Sequence, residues 1–522
     1  MKNPHPSFAG RQKRSDAASK DTMSAQKSGM QAGQSASVHA VLQTDARKPA
    51  STLRPGHGNF LPARCSKLAN SRILCVSAIV PFSAIMKKIT CLHPSWLIPV
   101  EPRASVLTDY ALVMSDDKIS ALLPSAQAYQ EYPQAEHIVL AQQALLPGFV
   151  NLHAHSAMCL LRGLADDLSL MEWLTKHIWP AEQQHVSDEF VFDGSLQAMA
   201  EMIRGGTTTV NDMYFYDQAV ARAGVASGMR TVVGCSVLDF PTGYAENADG
   251  YLAKAVAAHA AFAGQSGISF TLAPHAPYTV SDESFKKVLT LAGQLDIGIH
   301  CHIHETLDEV ANSLRQYGMR PLERLHQLGL LSPRLIAAHM VHADDADLSL
   351  LSKYGVHIAH NPASNLKLAS GFARVHAMQN AGINIGIGTD GSASNNKLDL
   401  LGDLRMAALL AKAESGQATA LSAAAALEMA TLAGARALGM GEQTGSLVVG
   451  KQADLIAIDL SALETQPVYD PISQIVYAAG REQVSHVWVN GRCLMRQRQL
   501  LTLELPALLD KASWWQSRIA AH

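Results

Sequence analysis

Leu146-Pro-Gly-Phe-Val-Asn-Leu-His-Ala-His-Ser156 is the stretch on which the reading of this chain turns. From Ala144 to Leu152 it is a largely apolar run of strand length, and it ends in a His-x-His pair. Residues two apart on a strand point to the same side. His153 and His155 therefore leave one end of the strand on one face. Two imidazoles fixed in this way need a third ligand and a carboxylate from elsewhere to hold a Zn²⁺-type ion. Alone the pair is weak evidence, because a chain with 22 His produces His-x-His by chance.

Seven further strand-like runs follow, at 207–215, 230–238, 268–276, 297–305, 335–343, 356–364 and 383–391. Helical stretches such as Glu189–Arg204 and Tyr251–Ala263 separate them. Eight strands alternating with helices predict an α/β fold of the (β/α)₈ (TIM) barrel type. An open doubly wound sheet is the alternative, weakened by the lack of G-x-G-x-x-G after the first strand. Short apolar runs with Pro and Asp turns from Ile89 to Ala144, and again from Gly445 to Met495, read as β-segments; Asn490-Gly491 is a hairpin signal. Together they predict a small β-sandwich built from both ends of the chain. The expected division is 86–145 and 445–522 for the sandwich and a terminal helix, with the catalytic barrel at 146–444.

The chain has 522 residues, 48% of them hydrophobic and 17% charged, with a formal net charge of −3. That is an ordinary globular composition and excludes a general nucleic-acid binder. Residues 1–85 carry 12 Lys/Arg and 3 Asp/Glu, a net of +9, against −12 for the remainder. Rich in Ser, Ala, Gln and Arg without apolar periodicity, this stretch reads as disordered or as an extension upstream of a natural start at Met86. A transit peptide and a basic tail are the other readings. Ile73–Met86 is apolar but too short to span a bilayer and is interrupted by Pro81, so no membrane span is expected. Seven scattered Cys form no C-x-x-C, which fits reduced thiols in the cytoplasm.

In a barrel, catalytic residues come from the C-terminal ends of several strands. The polar residues here share that address: His153 and His155 on strand one, Asn211 and Asp212 on strand two, and His275 ending strand four. His302 and Glu305 end strand five, His339 lies on strand six and Asp390 ends strand eight. His153, His155 and His302 offer three neutral nitrogens and Asp390 a hard oxygen, a donor set with room for water. A metal can lower the pKa of that water to about 7. In His300-Cys-His-Ile-His304 all three His fall on one face; His302 is preferred because Glu305 follows at the strand end, with His300 the fallback. Lys254, in a helical run, is the only Lys from Thr231 to Ser281, so no bridging Lys is available on strand four and one metal is expected. Zn²⁺ suits the set, and Fe²⁺ fills the same geometry. Glu305 and His339 are the candidates for proton transfer, Glu305 against a role as helix cap. His342 and His357 read as structural, and His360 stays undecided.

With these residues in place the chain resembles the amidohydrolase superfamily, in particular its methylthioadenosine/S-adenosylhomocysteine deaminases, near the triazine hydrolases and guanine deaminases. The motifs are PGFVNLHAH, IWPAE (178–182), GGTTTVNDMY (205–214), PHAPYT (274–279), HIHET (302–306), AAHMVH (337–342), HNPASNLKLASG (360–371) and GTDGSASNN (388–396). The resemblance implies one divalent metal on His153, His155, His302 and Asp390. It implies that Glu305 protonates a purine ring nitrogen, and that Asp390 and His339 orient and deprotonate the attacking water. It further implies ribose binding by Glu182, nucleoside contact by His275, and loss of ammonia from C6. Relatives competent for S-adenosylhomocysteine carry Arg in the loop after strand three. Here Thr231 to Asn312 contains none, and Phe240 and Tyr244 suit an uncharged methylthio group. Methylthioadenosine is therefore the expected substrate, ahead of S-adenosylhomocysteine and adenosine. Rival readings on the same frame are a triazine or guanine aminohydrolase or chlorohydrolase, and a non-catalytic metal-binding assembly protein. A homo-oligomer, dimer or tetramer, is implied, with Trp514-Trp515 at an interface or in the core.

Overall fold

The computed structural model describes residues 88–521; the expectations for residues 1–85 lie outside the described residues. Eight consecutive parallel strands form the expected barrel: Phe149–Ala154, Thr207–Tyr214, Arg230–Val237, Ile268–Pro274, Gly298–Ile303, Leu335–His339, His357–His360 and Ile385–Ile387. Each pairs in parallel with the next. Helices cover the outside, so every residue of Thr207–Tyr214 and Arg230–Val237 is buried. This is why these strands read as continuous apolar runs rather than as alternation. Helices Asp188–Arg204 and Ala248–Ala261 stand close to where the sequence put them. Both start at a side-chain cap: Ser187 accepts from the Phe190 N–H and Asn247 from the Gly250 N–H.

The last and first barrel strands are joined past the short eighth strand. The Asp390 N–H donates to the His153 carbonyl at 2.9 Å, and the Thr389 N–H donates to Asn151 Oδ1 at 3.0 Å. Barrel closure and the meeting of two candidate ligands are thus one structural event.

The opening strand differs from its sequence reading. Residues 144–147 end a long strand of the flanking sheet, Glu136–Pro147, and the barrel strand begins only at Phe149. Gly148 is the pivot, because a Cβ there would lie 2.1 Å from the Thr208 side chain. Only glycine lets the chain pass from one sheet to the other at this spot.

The flanking unit is a single eight-stranded mixed sheet. Glu136–Pro147 sits at its middle, parallel to Ile89–Leu97 and antiparallel to Leu455–Asp459, and so joins the N-terminal to the C-terminal segment. Strands Lys118–Pro124 and Leu455–Asp459 are four strands apart in this sheet, yet beside their starts the Ile119 N–H donates to the Lys451 carbonyl at 2.9 Å and the Ala453 N–H to the Asp117 carbonyl at 2.8 Å. In a flat sheet they would stand about 19 Å apart. The sheet therefore folds over its own core and packs as a sandwich does. In the terminal helix Leu505–Ala520, Trp515 is core: it meets Phe190 edge-on at 5.0 Å and donates to Asp193, while Trp514 is 41% exposed.

Candidate active site

At the C-terminal mouth of the barrel four donor atoms converge. His155 Nε2 lies 3.2 Å from His302 Nε2. Asp390 Oδ1 lies 3.4 Å from His153 Nε2 and 3.2 Å from His155 Nε2. Four ligands at zinc–nitrogen and zinc–oxygen bond lengths stand about 3.3–3.4 Å apart at the corners of a tetrahedron. Those three spacings match that edge; His153 and His302 also share a second cluster with His339, whose ligand atoms lie within 4.8 Å of one another. His153 Nε2 is moreover buried with no hydrogen-bond partner, an orphaned lone pair aimed into the cluster. The residues present therefore fit a divalent cation.

Each imidazole is held from behind, which turns Nε2 toward the centre. His155 Nδ1 lies 2.7 Å from the Met213 carbonyl, and His302 Nδ1 lies 2.7 Å from that of His275. His153 Nδ1 contacts His300 Nε2 at 2.9 Å, and the far nitrogen of His300 meets Asn211 at 3.1 Å. His300, the fallback ligand in sequence, therefore stands behind His153 rather than in the donor cluster. Asp390 accepts from Ser364 Oγ at 2.5 Å and from the Gly391 N–H at 2.8 Å. Asp212 accepts from the Ser156 N–H at 2.7 Å and so pins the turn that follows His155.

The charges are strongly biased. Burial pushes His153 down to about 4, and burial together with the neighbouring imidazoles holds His302 well below the ordinary range. Burial opposes ionisation of Asp390, but the close approach of His153 and His155 outweighs it and holds the carboxyl well below the usual range. Burial likewise opposes a proton on His155, yet Asp390 raises it to about 9.

His339 ends the sixth strand, buried, with its Nδ1 2.8 Å from Asn365 Oδ1. An amide oxygen can only accept, so Nδ1 carries the proton and the Nε2 lone pair faces the site. That nitrogen lies 3.9 Å from both Glu305 Oε2 and Asp390 Oδ2. Glu305 is buried two residues past the fifth strand, and burial with the nearby carboxylate of Asp390 pushes it up to about 7, against the pull of His339. The helix cap that sequence weighed for Glu305 is Thr306, which accepts from the Glu309 N–H at 3.2 Å. His304, His339 and Asp390 have left-handed backbones (φ +56°, +74° and +62°), each a cost of about 1–3 kcal/mol for a non-glycine residue. Such strain clusters where side chains must be aimed.

One cavity of about 300 Å³ opens over this cluster. Its walls include His155, His302, Glu305, His339 and Asp390, together with Glu182 and His275. Glu182, on the short helix Trp179–His185, accepts from the Tyr214 hydroxyl at 2.7 Å, and burial pushes its carboxyl up to about 7 despite that bond. His275 Nδ1 is tied to Thr279 Oγ1 at 3.0 Å. Trp173, Trp179, Phe215, Phe240 and Tyr244 make much of the remaining wall, and among the described residues no Lys or Arg lines it. All the residues picked from sequence thus meet in or directly beneath one pocket. His342 bonds the Ser370 carbonyl and His357 meets Asn384, both in supporting roles; His360 is buried outside the pocket wall. Sequence reading passed over Tyr214, Asn365 and Ser364 as individuals, although all three lie inside the motifs quoted above.

Comparison with known proteins agrees. Residues 144–494 match the Amidohydrolase family. A protein of Saccharophagus degradans named 5-methylthioadenosine/S-adenosylhomocysteine deaminase is 45% identical over 427 residues, covering 82% of this chain and 96% of the relative. A protein of the same name from Thermodesulfovibrio yellowstonii is 39% identical over 436 residues, 83% of this chain and 99% of the relative. A zinc-bound crystal structure described as an adenosine deaminase from Xanthomonas campestris is 48% identical and superposes with a TM-score of 0.81, covering 83% of this chain and 99% of that one. A zinc-bound atrazine chlorohydrolase from Arthrobacter aurescens shares the fold at 23% identity and a TM-score of 0.76, covering 82% of this chain and all of its own. From its barrel, its mouth of histidines and its near full-length relatives, the chain belongs to the amidohydrolase family.

Proposed function

We propose that this protein is a metal-dependent hydrolytic deaminase of adenosine-type nucleosides, with 5′-methylthioadenosine preferred over S-adenosylhomocysteine and adenosine. The products are the inosine-type nucleoside and ammonia. The observation that carries this reading is the meeting, in one cavity, of the four-donor cluster, the Glu305–His339 pair and the Glu182–Tyr214 pair. The names of the relatives support it. His153, His155, His302 and Asp390 would hold one divalent cation per subunit, Zn²⁺ before Fe²⁺. When bound, the cation supplies Lewis acidity that makes water a usable nucleophile near neutral pH.

The chain's own groups do the rest. His339, with Nδ1 donating to Asn365, takes a proton from water on Nε2, and Asp390 Oδ2 beside it orients that water. Glu305, kept protonated near neutrality by burial, donates to a ring nitrogen of the purine and draws electrons from C6. Oxygen adds at C6; the proton held by His339 passes to the amino group, which leaves as ammonia. The remaining hydroxyl proton recharges Glu305. Across the pocket, the Glu182 carboxylate accepts both ribose hydroxyls, with Tyr214 fixing its orientation.

Glu182→Gln is expected to raise KM for ribonucleosides roughly 10-fold or more, the value of a hydrogen bond to a charged acceptor, with a smaller change in kcat. The diol needs the ionised carboxylate, and Glu182 is pushed up to about 7. KM should therefore fall as pH rises through that value. Steady-state kinetics on either side of neutrality checks this, and a KM insensitive to both the substitution and pH would remove Glu182 from the ribose site.

Substrate choice follows from the wall. Lys254, whose Nζ lies 4.4 Å from the Tyr244 ring centroid, is not among the lining residues, so a homocysteine carboxylate meets aromatic surface instead of a cation. Loss of a bidentate charged contact predicts kcat/KM at least about tenfold higher for 5′-methylthioadenosine than for S-adenosylhomocysteine. Ammonia release from the two compounds measures it; a tenfold preference the other way would overturn the assignment.

The same reading includes a cytoplasmic homo-oligomer, dimer or tetramer. Five described cysteines are unpaired and no described helix is long and apolar enough to cross a membrane. Leu509 and Trp514 expose apolar surface on the terminal helix, which supports the oligomer.

A further inference from the structure

We propose that Glu309 is the positioning residue of Glu305: its carboxylate grips the backbone on which Glu305 stands and sets the aim of that side chain. The inference rests on the assignment of proton transfer to Glu305.

The fifth barrel strand stops at Ile303 and the next helix starts at Leu307. In between, the chain must turn Glu305 back over the barrel mouth, and His304 adopts a left-handed conformation (φ +56°) to do so. Such a turn holds one shape only if its surroundings over-determine it. Glu309, buried in the first turn of the helix, provides the constraint. One of its carboxylate oxygens accepts the His304 N–H at 2.9 Å and the other accepts the Glu305 N–H at 2.8 Å. Two adjacent N–H groups on one carboxylate fix both the height and the rotation of the peptide between them.

The spacing sharpens the point. Thr306-x-x-Glu309 has the pattern of a capping box, in which the glutamate reaches back to the N–H of the capping residue itself. Half of the box is present, since Thr306 Oγ1 accepts the Glu309 N–H at 3.2 Å. The other half is redirected: the carboxylate passes Thr306 and takes the two residues before it. Helix capping alone does not call for that reach; holding Glu305 does. The His304 side chain braces the same turn from the other side, its Nε2 accepting the Leu322 N–H at 3.1 Å.

A proton donor displaced by about 1 Å can cost 10²-fold in rate. Glu309→Gln keeps the shape but sets an amide NH₂ against one of the two N–H groups. In metal-replete protein it is expected to lower kcat about ten- to a hundredfold, with KM within about threefold and the metal content per chain unchanged. The decisive arm repeats the substitution in a Glu305→Gln background. There it should change the residual kcat less than about twofold, because the grip has nothing left to aim. An unchanged kcat in the single variant, or an equal loss in both backgrounds, would overturn the proposal, the second outcome marking a purely structural role. A Glu305→Gln enzyme with unimpaired kcat would instead overturn the proton-transfer reading beneath it. If Glu309→Gln does not fold, Glu309→Asp withdraws the same oxygens while keeping the charge and carries the same expectations.

Discussion

Glu305→Gln should lower kcat for 5′-methylthioadenosine by about 10²–10⁴-fold, the range of a positioned general acid, while the protein keeps its fold and its metal. Glutamine has the shape of the carboxyl group but no acidic proton. Glu305 is 4% exposed, so bulk solvent is a poor substitute for that proton. His339 Nε2, 3.9 Å away, is placed to receive a proton from water rather than to give one to the purine ring. The loss should therefore fall on kcat, with KM nearly constant, because the ribose contact proposed for Glu182 is untouched. Stopped assays for ammonia, with elemental analysis of the same sample, separate this from metal loss. A kcat within about threefold of the parent would remove Glu305 from proton transfer.

Asp390→Asn should be at least as severe, with kcat reduced about 10³-fold or more as an anionic donor and a water-orienting group are lost together. The carboxylate touches His153 and His155 through Oδ1 and faces His339 through Oδ2, so one substitution disturbs both halves of the site. The amide is neutral and binds a divalent cation weakly, so metal content should drop as well, unlike in Glu305→Gln. Chelation of the parent should abolish activity in the same way, and added Zn²⁺ should restore it there but not fully in Asp390→Asn. Full metal content with near-parental turnover in the variant would contradict the four-donor site.

Much of this was legible before any coordinates. Buried parallel strands announce themselves as apolar runs, and a polar residue at the end of such a run faces the barrel mouth. That rule brings His153, His155, His339 and Asp390 into view, while His302 is separated from His300 only by the Glu305 that follows it. What the rule cannot supply is depth. His300 and His302 share a strand face by alternation, yet one stands behind His153 and the other beside His155. Nor does an apolar run show where one sheet hands over to another. Ala144 to Leu152 reads as continuous, and only the space occupied by Thr208 reveals that Gly148 divides it. The supporting pairs, Tyr214 with Glu182 and Asn365 with His339, join residues 32 and 26 positions apart. No local periodicity encodes such contacts; they exist only once the barrel is closed.

Metal-dependent deamination of adenosine-type nucleosides in this cavity is checked by following ammonia and the inosine-type product from 5′-methylthioadenosine with zinc-replete protein, beside adenosine, S-adenosylhomocysteine, guanine and a triazine. The predicted result is one ammonia per 5′-methylthioadenosine consumed, faster than with any other compound and lost on chelation. No ammonia from any adenosine-type nucleoside, or turnover confined to guanine or the triazine, would contradict it.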